Sequence, residues 1–368
     1  MSPLSLEIRS LIEQEGPISI ADYMALCLAH PVHGYYTTSH PVGGRASASR
    51  SGGDFITAPE VSQMFGELIG VWCMEVWQAL GSPSPFNLVE VGPGRGTLMR
   101  DLLRASRALP DFLDAAQIHL IEISPTLAEQ QSLTLNEQNA QITWLRDLSA
   151  LPDLPTIAIG NEFLDALPFH QWMKSGEKWH QRAVGIEQQK LCFTTRLAFL
   201  AVPLLPVSHD QMPDGTIFET APAREGFVTA LAEHIVRHDG AALLIDYGHL
   251  QSGFGDTFQA VRDHAYCAPL DAPGRADLTS HVDFEKLLSA AKNAGCVAPH
   301  PTSQGEFLIS LGLLERAGTL GANREPAIQE SLQQAVNRLA GPDQMGDLFK
   351  VMAFGAPASL GERWPGFV

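Results

Sequence analysis

The segment NLVEVGPGRGTL, Asn87 to Leu98, constrains the fold more than any other part of this chain. The run Phe86 to Val91 reads as a buried strand. Glycines follow at 92, 94 and 96, and a helical pattern covers 97–106. Glycine permits a sharp turn and lets a ligand approach the main chain closely. A helix that starts just beyond the turn exposes unpaired N–H groups to that ligand. Strand, glycine turn and helix in this order open a βαβ unit. The expected fold is therefore α/β, with ligands at the carboxyl ends of parallel strands.

The glycine spacing narrows the ligand. A dinucleotide fingerprint, G-x-G-x-x-G, would need its third glycine at 97, where the chain has Thr97. Here the order is G-x-G-x-G, Gly92, Gly94 and Gly96 around Pro93, with Glu90 inside the preceding strand. The next strand, IHLIEI (118–123), ends in Glu122 and Ile123. A carboxylate there can accept both hydroxyls of a ribose. Glu122 lies further from the glycines than the roughly 20 residues usual for NAD sites. The strand ITWL is followed by Asp147 and Leu148, placed to hold an adenine amine and ring edge. An ordinary strand–helix turn would explain the glycines alone. With Glu122 and Asp147 at the next two strand ends, a nucleoside ligand without a bound pyrophosphate fits better. S-adenosyl-L-methionine is such a ligand, and S-adenosyl-L-homocysteine is its product.

A fourth strand, TIAIG, runs straight into Asn161, Glu162 and Asp165. Asn161 is expected at the methionine end of the cofactor. Glu162 and Asp165 are the expected catalytic acids beside the reactive methyl. Their bland alternatives are a loop tether for Glu162 and a turn cap before Pro168 for Asp165. GGDFITAPE supplies Asp54, Phe55 and Thr57 as lid or substrate contacts, although Thr57 and Glu60 also spell a helix capping box. Tyr35 and Tyr36 are expected to line the same opening, with packing as their bland alternative. Asp246, Tyr247, Gly248 and His249, at the end of the fifth strand, are further substrate-side candidates. His30 and His33 have H-x-x-H spacing but no third ligand pattern, so no metal site is expected.

Around this sheet the chain divides into a helical extension or lid over 1–80 and a core over 81–368, with an antiparallel β insertion at 170–220. Helices are expected at 5–15 and 19–29, the second with a Ser19–Asp22 capping box, and across 58–80. Residues 38–53, rich in Gly and Ser, read as a flexible loop. Later elements are a helix near 283–294 and a strand at 348–355, expected at a sheet edge. The formal charge of -17, without any Lys/Arg-rich run, argues against nucleic acid. The most apolar segment, 197–207, is too short and proline-broken to insert in a membrane. Five widely spaced cysteines and an N-terminus unlike a signal or transit peptide point to the cytoplasm.

The motifs GPISIADYM, HPVHGYY, GGDFITAPEVSQMFGELIGVW, LVEVGPGRGTLMRDLLR, NEFLDALP, LLIDYGH, PGRADLTSHVDF and MGDLFKVMAF, in this order, resemble the MidA family. The resemblance runs from about Gly16 to Phe354. It implies a class I S-adenosylmethionine methyltransferase fold, Rossmann-like, with an N-terminal helical extension. It also implies kinship with the mitochondrial arginine methyltransferase that assists complex I assembly, and the absence of a transit peptide suits a bacterial member. The loop at 41–52 is longer than the family's short glycine link. If the acceptor is a protein arginine, a pair of carboxylates can fix the guanidinium plane and enrich the attacking nitrogen. Two other readings stay open: methylation of a small molecule, and an assembly factor that binds the cofactor without essential catalysis.

Overall fold

The structure is a computed structural model that describes residues 2–38, 56–138, 140–198, 200, 205–356 and 364–367. Asp54, Phe55 and nearly all of the 38–53 segment lie outside the described residues.

Eight strands form the central sheet: β1 (Phe86–Val91), β2 (Ala116–Ile121), β3 (Ile142–Leu145), β4 (Thr156–Asn161), β5 (Gly240–His249), β6 (Val282–Asp283), β7 (Thr302–Ser303) and β8 (Phe349–Gly355). Their order is β7-β8-β5-β4-β1-β2-β3, with β6 paired to β5. Strands β1 to β5 are mutually parallel where they pair, and β8 runs antiparallel to β5. The chain steps outward from β1 to β3, then returns to the other side of β1 as β4. That reversal opens a crevice beyond the carboxyl ends of β1 and β4, where open α/β sheets take their ligands. The strand expected at the edge, β8, instead lies inside the sheet, because the two-residue β7 covers its free side.

Both sheet faces are buried, which explains why these strands read as continuous apolar runs. Leu88, Ile157, Ile159, Leu243 and Ile245 face a core shared with helices Gln63–Ala79 and Thr97–Ser106. Val89, Val91, Ala158, Ala242 and Leu244 face helices Pro222–His238 and Phe284–Asn293. Successive residues thus alternate between two cores, as the strand period requires.

The single helix expected over 58–80 is two. Ala58–Val61 ends at Ser62, which is extended (φ -161°, ψ 144°), and its hydroxyl accepts the Met64 N–H at 3.3 Å to start Gln63–Ala79. The expected Thr57–Glu60 capping box does not form: Thr57 makes no side-chain cap bond, and Glu60 accepts from the Thr97 hydroxyl instead. The Ser19–Asp22 box does form.

Residues 170–220 form antiparallel strands His170–Ser175, Lys178–Glu187, Lys190–Arg196 and Ile217–Thr220. The N-terminal segment joins that sheet: Ile18–Ser19 pairs with Lys178–Glu187, placing Ile18 opposite Val184. Helices Pro3–Glu15 and Ile20–Ala29 bury Leu4, Ile8, Tyr23 and Met24 against Phe169, Val184 and Leu278. The Tyr23 hydroxyl donates to the Pro269 carbonyl at 2.8 Å. The extension, the insertion and the connection after β5 therefore share one core, which forms the wall opposite the strand ends. Among the described residues no helix is long and apolar enough to cross a membrane.

Candidate active site

The β1 turn is built on glycines that bend the chain the way other residues resist. Gly92, Gly94 and Gly96 have φ of 64°, 54° and 79°. A Cβ on Gly92 would sit 3.0 Å from the Phe163 ring, so the β1 and β4 turns touch there only because residue 92 has no side chain. Gly96 is the left-handed N-cap of Thr97–Ser106.

A cavity of about 630 Å³ fills the crevice. Glu90, Gly92, Pro93 and Gly94 line it from β1, Glu122 and Ile123 from β2, Asp147 and Leu148 from β3, and Asn161, Glu162 and Asp165 from β4. Ala25, Leu28, Ala29, Tyr36, Thr57 and Glu60 face them from the N-terminal side. Among the described residues seven carboxyl groups line the cavity against two guanidinium groups, Arg95 and Arg146. An enclosure with that imbalance favours a cationic occupant.

Each acid has a defined setting. Glu90 is buried inside β1, and desolvation pushes its carboxyl up to about 8. Glu122 accepts from Ser124 N–H at 2.7 Å and from Gln131 Nε2 at 3.0 Å, one donor on each oxygen, while burial raises its pKa. Asp147 is exposed, and the Ser149 hydroxyl and N–H hold its carboxyl below the usual range. Glu162 sits in left-handed backbone (φ 51°), its own N–H bound to the Ile245 carbonyl at 2.9 Å. Ala58 N–H (2.9 Å) and Asn161 Nδ2 (3.1 Å) both donate to its Oε1. Desolvation, opposed by the Ala58 bond, pushes Glu162 up to about 7. Strain at a non-glycine residue of this kind clusters at functional sites.

Asp165 is 6 % exposed and accepts the Tyr247 hydroxyl at 2.7 Å on Oδ2. Burial raises its pKa, against the Tyr247 bond and the nearby Arg224 charge. The fully buried Arg224 binds the carbonyls of Asp165 (2.9 Å), Leu167 (3.2 Å) and His281 (2.8 Å). It fixes the backbone on which Asp165 is carried.

Three expected site residues lie elsewhere. Asp246 is fully buried beneath the cavity; its Oδ2 accepts the N–H groups of Leu164 (2.9 Å) and Asp165 (3.1 Å), and its Oδ1 accepts that of Tyr247 (2.9 Å). It holds the β4 turn rather than lining the cavity. Tyr35 is 1 % exposed and packs edge-on against Tyr36, which takes the lining position instead. His249 lines a separate cavity of about 550 Å³, which Arg224 lines as well. His30 and His33 stack at 5.4 Å, and both face Glu7. Tyr36 and Tyr247, both expected from the sequence, do line the cavity. The residues not foreseen are Asp277, which stands in the motif PGRADLTSHVDF, and Arg224, which lies in an ordinary helical pattern.

The cavity suits the nucleoside cofactor on its own features. Glu90 Oε2, Asn161 Oδ1 and Asp165 Oδ1 are buried without a hydrogen-bond partner among the described residues, and all three residues line it. Buried polar atoms of this kind call for a hydrogen-bond partner, which a bound ligand can supply.

Comparison with known proteins agrees with this geometry. Residues 68–302 match the model of a family of S-adenosyl-L-methionine-dependent methyltransferases. The chain is 35% identical to human protein arginine methyltransferase NDUFAF7, mitochondrial, covering 96% of this chain and 83% of that one. The Drosophila melanogaster homolog is 35% identical, covering 98% and 87%. A Burkholderia thailandensis protein solved bound to S-adenosyl-homocysteine superimposes with a TM-score of 0.86 at 29% identity, covering 99% of this chain and 94% of that one. A native crystal structure from the same organism gives 0.84.

Proposed function

The chain belongs to this family of S-adenosyl-L-methionine-dependent methyltransferases, and from that premise we propose that it methylates an arginine side chain of a partner protein. The observation that carries the reading is the β4 turn. Glu162 and Asp165, two partly satisfied carboxyl groups, stand on the cavity wall beside the glycine loop. The printed names of the relatives, protein arginine methyltransferases, support the same acceptor.

The cofactor, when bound, supplies an electrophilic methyl on a sulfonium. The glycine turn and the N-terminal end of Thr97–Ser106 would receive its methionine end together with Asn161, Glu122 its ribose hydroxyls, and Asp147 with Leu148 its adenine. Glu162 and Asp165 hold the acceptor guanidinium by charge-assisted hydrogen bonds, which are directional and strong in a desolvated site. Two carboxylates on one edge pin the plane and draw positive charge away from the remaining nitrogen, which turns toward the methyl. The Tyr247 hydroxyl orients Asp165, and the Ala58 N–H orients Glu162. A proton leaves the product nitrogen after transfer, and Glu162, pushed up to about 7, can accept it near neutral pH. The five cysteines are free thiols, and this supports placing the reaction in the cytoplasm.

The experiment is incubation of cell extract with purified enzyme and radiolabelled S-adenosyl-L-methionine, followed by acid hydrolysis of the protein fraction. Label co-eluting with methylarginine is the expected result. Label confined to small molecules would replace the acceptor class, and no transfer at all would favour a cofactor-binding assembly factor.

A further inference from the structure

One further carboxyl from outside the sheet lines the same space as the β4 acids. Asp277 opens the strand Asp277–Thr279 in the connection after β5, 9 % exposed, and lines the cavity. The Tyr36 hydroxyl donates to Asp277 Oδ1 at 2.9 Å, across 241 residues of sequence. Tyr36 is itself anchored, since its carbonyl accepts the Ser124 hydroxyl at 2.8 Å. Burial first, then the fields of Asp277 and Asp165, keep the Tyr36 phenol well above its ordinary pKa. It therefore remains a donor at any working pH. Tyr36, Asp277, Asp165 and Glu162 line the same cavity. Asp277 is not at the end of β1, β2 or β3, where a nucleoside would lie, whereas Tyr36 reaches the β2 end through Ser124.

Resting on the reading that the acceptor is arginine, we infer that Asp277, oriented by Tyr36, is a specificity residue that binds the acceptor guanidinium together with Glu162 and Asp165. The chemistry selects this ligand. A guanidinium is planar and offers five N–H donors in a fixed fork, so three carboxyl groups from two segments of one cavity can engage it at once. An ammonium offers three donors on a single nitrogen and matches such a spread of acceptors less well. The apolar side chains Ala25, Leu28 and Ala29 line the same cavity and suit the methylene stem of the acceptor.

The test uses the full-length enzyme as wild type, Asp277→Asn and Tyr36→Phe. The probe for the cofactor site is S-adenosyl-L-homocysteine, titrated by calorimetry. The acceptor probe is total extract protein at a series of dilutions with labelled donor, scored as methylarginine. Loss of one charge-assisted bond predicts a rise of about tenfold or more in the half-saturating extract concentration for Asp277→Asn. Tyr36→Phe, which leaves the carboxylate but not its orientation, should show a smaller rise, and both variants should bind S-adenosyl-L-homocysteine within about twofold of wild type. A parallel loss of S-adenosyl-L-homocysteine affinity would make Asp277 a cofactor contact and overturn the inference. So would an unchanged half-saturation, or a Tyr36→Phe defect larger than that of Asp277→Asn. If wild-type enzyme forms no methylarginine, the underlying reading fails instead, and the inference falls with it.

Discussion

Replacing Asp246 with Asn tests whether the β4 turn is a built scaffold or part of the substrate surface. The carboxylate takes three backbone N–H groups, those of Leu164 and Asp165 on one oxygen and that of Tyr247 on the other. An amide of the same shape offers one oxygen. If it keeps the Leu164 and Asp165 bonds, its NH2 group meets the Tyr247 N–H, donor against donor. One buried donor left unsatisfied costs about 1–3 kcal/mol, and the surviving bonds lose their charge assistance. Against this, the carboxyl is pushed upward by burial and by Asp165, so removing its charge returns part of the loss. A net destabilisation of about 2 kcal/mol is expected. With an unfolding entropy of about 2.1 cal/mol/K per residue, that corresponds to a Tm lower by roughly 2–3 °C for a chain of this length. Differential scanning calorimetry and denaturant titration read the loss directly. Turnover should fall as well, because Leu164 and Asp165 are no longer held, while the half-saturating acceptor concentration changes little. A variant of unchanged stability whose only defect is weaker acceptor binding would refute this reasoning and return Asp246 to the substrate surface.

Three further outcomes follow from the same geometry. Gly92→Ala forces a left-handed residue worth about 1–2 kcal/mol of strain and puts a methyl against the Phe163 ring; calorimetry should show S-adenosyl-L-homocysteine affinity reduced by at least about tenfold. The acceptor-dependent rate should rise with pH through about 7, because Glu162 must be ionised to hold a cation and burial has raised its pKa to that range; a pH–rate profile flat from 5.5 to 8 would contradict it. Glu90, raised from its ordinary value to about 8, binds more protons folded than unfolded between those values, so its ionisation lowers stability as pH rises through that window. Denaturation midpoints measured from pH 5 to 9 should therefore fall less in Glu90→Gln than in wild type.

Much of this was legible in the sequence, for identifiable reasons. β1 and the helix Thr97–Ser106 fall where the apolar run and the glycines put them, because both signals are local. Glu122, Asp147, Asn161, Glu162 and Asp165 all reach the cavity because a parallel sheet delivers each strand end to the same side. Which way a strand-end side chain turns was not legible. Asp246 precedes Tyr247 by one residue, yet the acid points to the β4 turn and the tyrosine to the cavity, and the pleat alone decides which. Tyr35 and Tyr36 pose the same problem on a one-turn helix, settled by packing against a segment some 240 residues away. The Thr57–Glu60 box failed because Thr97 offered Glu60 a tertiary partner, which no local rule can see. The pairing of Ile18–Ser19 with Val184 and Ala183 is invisible for its brevity.

The central claim is that one cavity holds the methyl donor by its glycine turn and the acceptor by its β4 acids. A single variant, Glu162→Gln, measured twice, tests it most directly. S-adenosyl-L-homocysteine should bind with a dissociation constant within about twofold of wild type, while methylarginine formation falls by about a hundredfold or more. A Glu162→Gln enzyme of normal activity, or one that loses the cofactor together with the reaction, would contradict the account.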